Sequence, residues 1–292
     1  MRPVGRRVAL LGIVLGLSRP GAAPAADVPA TYAIEELGPG VFAAIAVPAG
    51  PKSAAGPNAG FVVGSQAALV VDGGVSADGA REILAAVRAK TRLPVRWLVL
   101  SSRGGDAAGA EVLIRAGAIP VACETASGRS GIAYGDRVTI WPGDREVEVL
   151  ARAGRSGETS VVRIPDADVV FTGDLFWKKI FPDLAGARTD TWIRTLDGFL
   201  REYPAATFVP GRGGLAKALD VRQFRDYLSS LRLAAARGMR QGKSGPSLVE
   251  AVRPWLLVRF ASWGGLEAVD RNVTDVEAEL SAAGSSSRPP AP

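Results

Sequence analysis

The stretch Leu98-Val99-Leu100-Ser101-Ser102-Arg103-Gly104-Gly105-Asp106-Ala107-Ala108-Gly109 decides how the rest of the chain is read. A nearly unbroken apolar run, Val95 to Leu100, breaks into a tight polar turn, Ser101 to Asp106. A helical pattern then runs from Ala107 to Ala116 and closes at Gly117. A short, continuous apolar run is what a strand covered on both faces looks like. The polar turn at its end is where open α/β sheets place their sites.

Outward from this stretch the same alternation continues. Asp78 to Lys90 has helical spacing, with Ile83, Leu84 and Val87 on one face and Ser76 or Asp78 placed to cap its start. Ile119 to Cys123 reads as the next strand. Strand–helix–strand–helix–strand predicts a sheet that is at least partly parallel. Upstream, Val41 to Val47, Gly60 to Val63 and Ala67 to Val71 read as strands, the last ending in Asp72-Gly73-Gly74. Pro48 to Asn58, rich in Gly, Ala and Pro, reads as a mobile surface loop. Downstream, strands are predicted at Arg137 to Trp141, Glu146 to Ala151, Ser160 to Ile164, Val169 to Thr172 and Thr207 to Val209. Helices are predicted at Thr189 to Glu202, Ala216 to Arg237, Leu248 to Val258 and Val273 to Ser281. Residues 27–282 read as one domain, and 283–292 as a disordered tail.

Residues 1–26 read as an export signal. Arg2, Arg6 and Arg7 precede the apolar run Val8 to Leu17, and an Ala-x-Ala site falls at Ala23-Pro24-Ala25 or one residue later. The alternative is an uncleaved anchor. The Arg6-Arg7 pair leaves the choice of export route open. This reading predicts a periplasmic or secreted bacterial protein. Losing the four arginines of this segment lowers the formal charge from +6 to +2, so the basic balance is poor support for nucleic-acid binding. No nucleic-acid partner is expected, and no membrane partner once the signal is removed.

Composition limits the chemistry further. The 292 residues are 47% hydrophobic, enough for a large core, but they include no histidine and one cysteine. Histidine-ligated metal sites and histidine-based triads are therefore excluded. Cys123 lies in an apolar, strand-like run and reads as a buried core thiol; as a nucleophile it would need a base to activate it.

Polar turns recur at four strand ends: Ser101–Ala107, Arg155–Glu158, Gly173-Asp174 and Gly211-Arg212-Gly213. Their order resembles the metallo-β-lactamase superfamily. That family has a strand ending in Thr-His-x-His-x-Asp-His, then a Gly-His turn, a Phe-Thr-Gly-Asp strand end and a Pro-Gly-His-Gly turn. Here the last two read Phe171-Thr172-Gly173-Asp174 and Pro210-Gly211-Arg212-Gly213, and Val71-Asp72-Gly73 matches an early Val-Asp-Gly turn. The likeness covers roughly residues 31–282. It implies a four-layer αββα sandwich of mixed α/β class, a hydrolase ancestry and a zinc site.

Carried over residue by residue, the resemblance implies a dismantled pocket. The family's histidine positions hold Ser102, Gly104, Ala107, Arg155 and Arg212, and only the carboxylates Asp106 and Asp174 remain. The family's zinc sites use imidazole nitrogens and leave an open position for water, so with those ligands absent no zinc or other cofactor is expected. Three readings of the pocket stay open. Arg155 and Arg212 could replace the metal as salt-bridge partners of Asp106 and Asp174; truncating either would then cost more than about 2 kcal/mol. They could instead face the cleft and bind an anion, assisted by Arg103 and by backbone N–H groups of Gly104-Gly105 and of Gly211 to Gly214. Or some chemistry survives, with Asp106, Asp174, Glu158, Lys178 or Lys179 as base, or one weakly held ion on the two aspartates. The leading expectation is a non-catalytic pseudoenzyme or accessory protein that binds an unidentified small molecule or periplasmic protein. The alternative is a hydrolase acting on an ester, thioester or lactam.

Overall fold

The computed structural model describes residues 32–48, 56–74, 76–102, 107–123, 131–155 and 157–286. The segment 1–26, most of the 48–58 loop, and Arg103, Gly104 and Asp106 lie outside the described residues.

The first sheet runs in chain order: β1 (Tyr32–Gly38), β2 (Val41–Ala46), β3 (Ala59–Val63), β4 (Ala68–Val71), β5 (Val95–Val99), β6 (Ile119–Cys123) and β7 (Ile132–Tyr134). β1 to β4 form an antiparallel meander. β4–β5 and β5–β6 pair in parallel, because helices α1 (Ala77–Lys90) and α2 (Ala107–Arg115) carry the chain back across the sheet, and β6–β7 is parallel as well. The Ser76 hydroxyl, not Asp78, caps α1, accepting from the Gly79 N–H at 3.0 Å.

The second sheet holds β8 (Arg137–Ile140), β9 (Val147–Ala153), β10 (Glu158–Ile164), β11 (Val169–Trp177) and β12 (Thr207–Arg212), in the order β12-β11-β10-β9-β8. Its pairings are antiparallel except β11 with β12, which α3 (Thr189–Glu202) connects. Helices α4 (Ala218–Arg240), α5 (Gly245–Arg259) and α6 (Val269–Ser286) follow.

Side-chain alternation explains how these elements stack. In β2, Val41, Ala43 and Ile45 belong to one buried cluster, and Phe42, Ala44 and Ala46 to another. The first cluster also takes Val149, Val162, Val169 and Phe171, so it is the filling between the two sheets. The second includes Ile83, Leu84, Ala110 and Leu113, which pack α1 and α2 on the first sheet. A third joins Val161, Val170 and Phe208 to Trp192, Phe199, Phe224 and Leu231, covering the second sheet with α3 to α6. The result is four layers, αββα.

The structure departs from the sequence reading at element ends. β11 does not stop at Thr172 but continues through Gly173 and Asp174 to Trp177, with its pairing to β12 slipping on both sides of Gly173. β7, three residues long, is too short to show alternation and was not expected. The last helix starts at Val269 and continues to Ser286, so 283–286 are helical rather than part of the expected tail.

Candidate functional site

Four strand-end turns converge at one edge of the sandwich. Asp72, just past β4, adopts a left-handed backbone (φ 56°), uncommon for a residue with a side chain. Its N–H donates to the Val99 carbonyl (2.9 Å) and its Oδ1 accepts from the Ser101 N–H (2.7 Å), which fixes the turn after β5. The Ser101 carbonyl in turn accepts from the Ser160 N–H of β10 at 2.9 Å, tying one sheet to the other.

Glycine is required here by close approach. A Cβ on Gly173 (φ 51°) would lie 2.5 Å from the Ser101 Cβ, and one on Gly211 would lie 2.5 Å from the Gly173 carbonyl oxygen. Asn58, 4% exposed, closes the floor. Its Oδ1 accepts from the Ala46 N–H (3.0 Å), and its Nδ2 donates to the Pro210 (2.8 Å) and Gly213 (2.7 Å) carbonyls. The cavity left among Asn58, Asp72, Gly173 and Gly211 is about 10 Å³, room for one water at most and for no ligand.

The rim carries the charged residues. Arg155, between β9 and β10, places Nη1 2.9 Å from Asp183 Oδ2, and its carbonyl accepts from the Arg188 N–H at 2.9 Å. Of the three readings left open, the one that pairs Arg155 with Asp174 is not what is found: Arg155 pairs with a carboxylate on the loop before α3. Geometry explains why: the residues after β11 turn back over the β9–β10 turn and bring Asp183 to it. The pair is open to solvent, with Arg155 35% and Asp183 42% exposed.

Arg212 lies over the Trp177 ring, its Cζ 5.0 Å from the centroid. The same indole donates its N–H to Asp174 Oδ1 at 3.2 Å. Trp177 therefore holds an anion at its N–H edge and a cation over its face, as the indole quadrupole favours. No Lys or Arg among the described residues lies within salt-bridge distance of Asp174, so its partner is the indole.

The other predicted residues separate. Ser102 is half-buried beside the described end of the β5 turn, and Ala107 begins α2. Lys178 is structural: its Nζ donates to the Leu215 carbonyl (2.5 Å) and pairs with Asp220 (3.5 Å). Lys179 is exposed with a left-handed backbone (φ 54°). Glu158 is exposed, and its carbonyl oxygen accepts from the buried Cys123 Sγ at 3.7 Å. Burial pushes the nearby Tyr134 phenol up to about 12, so it stays neutral and offers no base near neutral pH. Sequence reasoning missed Asp183, Asn58 and the bridging role of Trp177.

The donor chemistry does not suit zinc. A guanidinium stays protonated and has no lone pair to give, and two stand at ligand positions of the resemblance. Among the described residues, no group of three His, Cys, Asp or Glu side chains converges.

No family model and no curated protein matches the sequence. Solved structures do match the fold. A metallo-β-lactamase from Pontibacter korlensis superposes with TM-score 0.61 at 18% identity, over 68% of this chain and 99% of its own. The DIM-1 metallo-β-lactamase gives 0.59 at 18%, over 68% and 97%. TMB-1 gives 0.58 at 17%, over the same shares. At such identity the likeness establishes architecture and leaves activity open. Layer order, strand-end turns and these neighbours agree: the chain has the metallo-β-lactamase fold.

Proposed function

We propose that this chain is an exported metallo-β-lactamase-fold protein that has given up zinc chemistry and serves as a binding or accessory protein. One observation carries the reading. Arg155 and Arg212, at two positions where the family resemblance calls for ligands, are engaged by protein groups, Arg155 by Asp183 and Arg212 by the Trp177 face. Both are therefore working parts of the rim, held by the fold.

Electrostatics supports it. A dication about 4 Å from one guanidinium would be opposed by roughly 8 kcal/mol at an effective dielectric of 20. Against that stand Asp174, already bonded to the Trp177 N–H, and Asp106, which lies outside the described residues. Oxygen ligands alone favour hard ions held by several donors. The composition of residues 1–26 supports export, and no helix among the described residues is long and apolar enough to cross a membrane.

Elemental analysis of the purified chain, paired with turnover measurements on ester, thioester and lactam substrates, tests the reading. The expected result is no bound zinc and no turnover above background. Stoichiometric zinc with hydrolysis of any of these substrates would overturn it. Turnover without metal would favour a metal-independent hydrolase instead.

A further inference from the structure

A second cleft, of about 280 Å³, opens between β9 and α3, and none of the degenerate ligand positions lines it. Its α3 wall is Thr191, Arg194, Gly198 and Arg201, spaced at three and four residues and so on one helix face, with Glu202 at the end. Trp192 and Leu196 bury the opposite side of the helix. Arg152 of β9 forms the facing wall.

Three guanidinium groups therefore border one small space. Arg194 spends Nη1 on Asp190 (3.1 Å) and Nη2 on the Thr191 hydroxyl (2.8 Å). Arg152 gives Nη1 to the Ala151 carbonyl (3.1 Å) and sits 3.7 Å from Glu202. Arg201 has no ion pair or side-chain hydrogen bond among the described residues. Three cations face two carboxylates, which leaves a net positive cleft with unspent donors.

Gly198 supplies an independent observation. Glycine inside a helix lowers its stability relative to alanine. Packing does not demand it here: an added Cβ would meet only Glu202 Oε1, at an ordinary 3.6 Å. The open floor of the cleft is what a side chain at 198 would fill.

We propose that this cleft binds a small organic dianion, a phosphomonoester or a dicarboxylate. Guanidinium forks pair with either group through two parallel N–H bonds. The volume exceeds what a bare oxyanion needs and lies near the lower end for small-molecule sites. The one aromatic residue in the lining, Phe199, is buried, so the body of the ligand meets hydroxyl, amide and aliphatic surface rather than a ring face.

Calorimetric titration of the full chain with glycerol phosphate, succinate, inorganic phosphate and acetate tests this. Saturable binding of glycerol phosphate or succinate, weakening as salt rises and exceeding that of acetate, is expected; whichever dianion binds more tightly names the source. Arg201→Ala should weaken it at least tenfold. Gly198→Leu should abolish it while the melting temperature holds or rises, which separates a filled cleft from a damaged fold. Arg155→Ala should leave the affinity unchanged. Absence of saturable binding for both dianions, or binding unaltered in Gly198→Leu, would overturn the proposal.

Discussion

The floor and the rim of the candidate site differ in kind. The floor is made of backbone turns locked together at van der Waals limits: Asp72 on Ser101, Ser101 on Ser160, Gly173 against Ser101, Gly211 against Gly173. The rim is made of side chains reaching into solvent from those turns, and these depart from the family pattern. The turns therefore serve the fold as much as any chemistry. They join the ends of two sheets, and the sandwich needs them whether or not a metal sits above.

If so, damage to the floor should far exceed damage to the rim. The largest effect is expected from Gly173→Ala, which forces a left-handed residue into contact with Ser101; unfolding in urea should show a loss of roughly 3–4 kcal/mol. Asn58→Ala should follow at about 2–3 kcal/mol by the same measurement, since it strands two carbonyls and an N–H in a buried setting. Arg155→Ala should cost under about 1 kcal/mol, because its ion pair with Asp183 is solvent-exposed. That is smaller than the loss of more than about 2 kcal/mol tied to one of the three readings left open by the sequence, in which Arg155 pairs with a family-position aspartate. A loss at Arg155 as large as that at Gly173 would erase the distinction between floor and rim.

The smallest effect concerns pH. Burial, and then the neighbouring Asp183 charge, raise the Asp275 carboxyl above its usual value, with Arg271 opposing. A raised acid favours the fold below its unfolded pKa, and that contribution is lost as pH rises through its folded pKa. Asp275→Asn should therefore match the parent near pH 3 and be equal or slightly more stable, by about 0.5 kcal/mol at most, near pH 7. Denaturation curves at both pH values check the sign. A variant less stable at neutral pH would mean that the Asp275 charge supports the loop carrying Asp183.

Much of the floor was legible because backbone demands leave local marks. Gly173 and Gly211 stand where close approach excludes a side chain, and Val41 to Ala46 alternates between two cores. The rim was less legible because its partners are distant and carry no pattern. Asp183 lies 28 residues from Arg155 in an irregular loop. Trp177 lies beyond Thr172, where the sequence pattern ends the strand, and only the continuation of β11 past Gly173 brings the indole beside Arg212. Asn58 looked like one more polar residue in a Gly- and Pro-rich loop, and only its three bonds reveal that it fastens that loop to β12.

The proposal stands or falls on guanidinium groups occupying two positions where the family resemblance calls for metal ligands. Titrating zinc into the purified chain by calorimetry tests it most directly, with chelator-treated protein as the starting point. The expected result is no saturable heat and no change in melting temperature. One equivalent of tightly bound zinc that raises the melting temperature would contradict it.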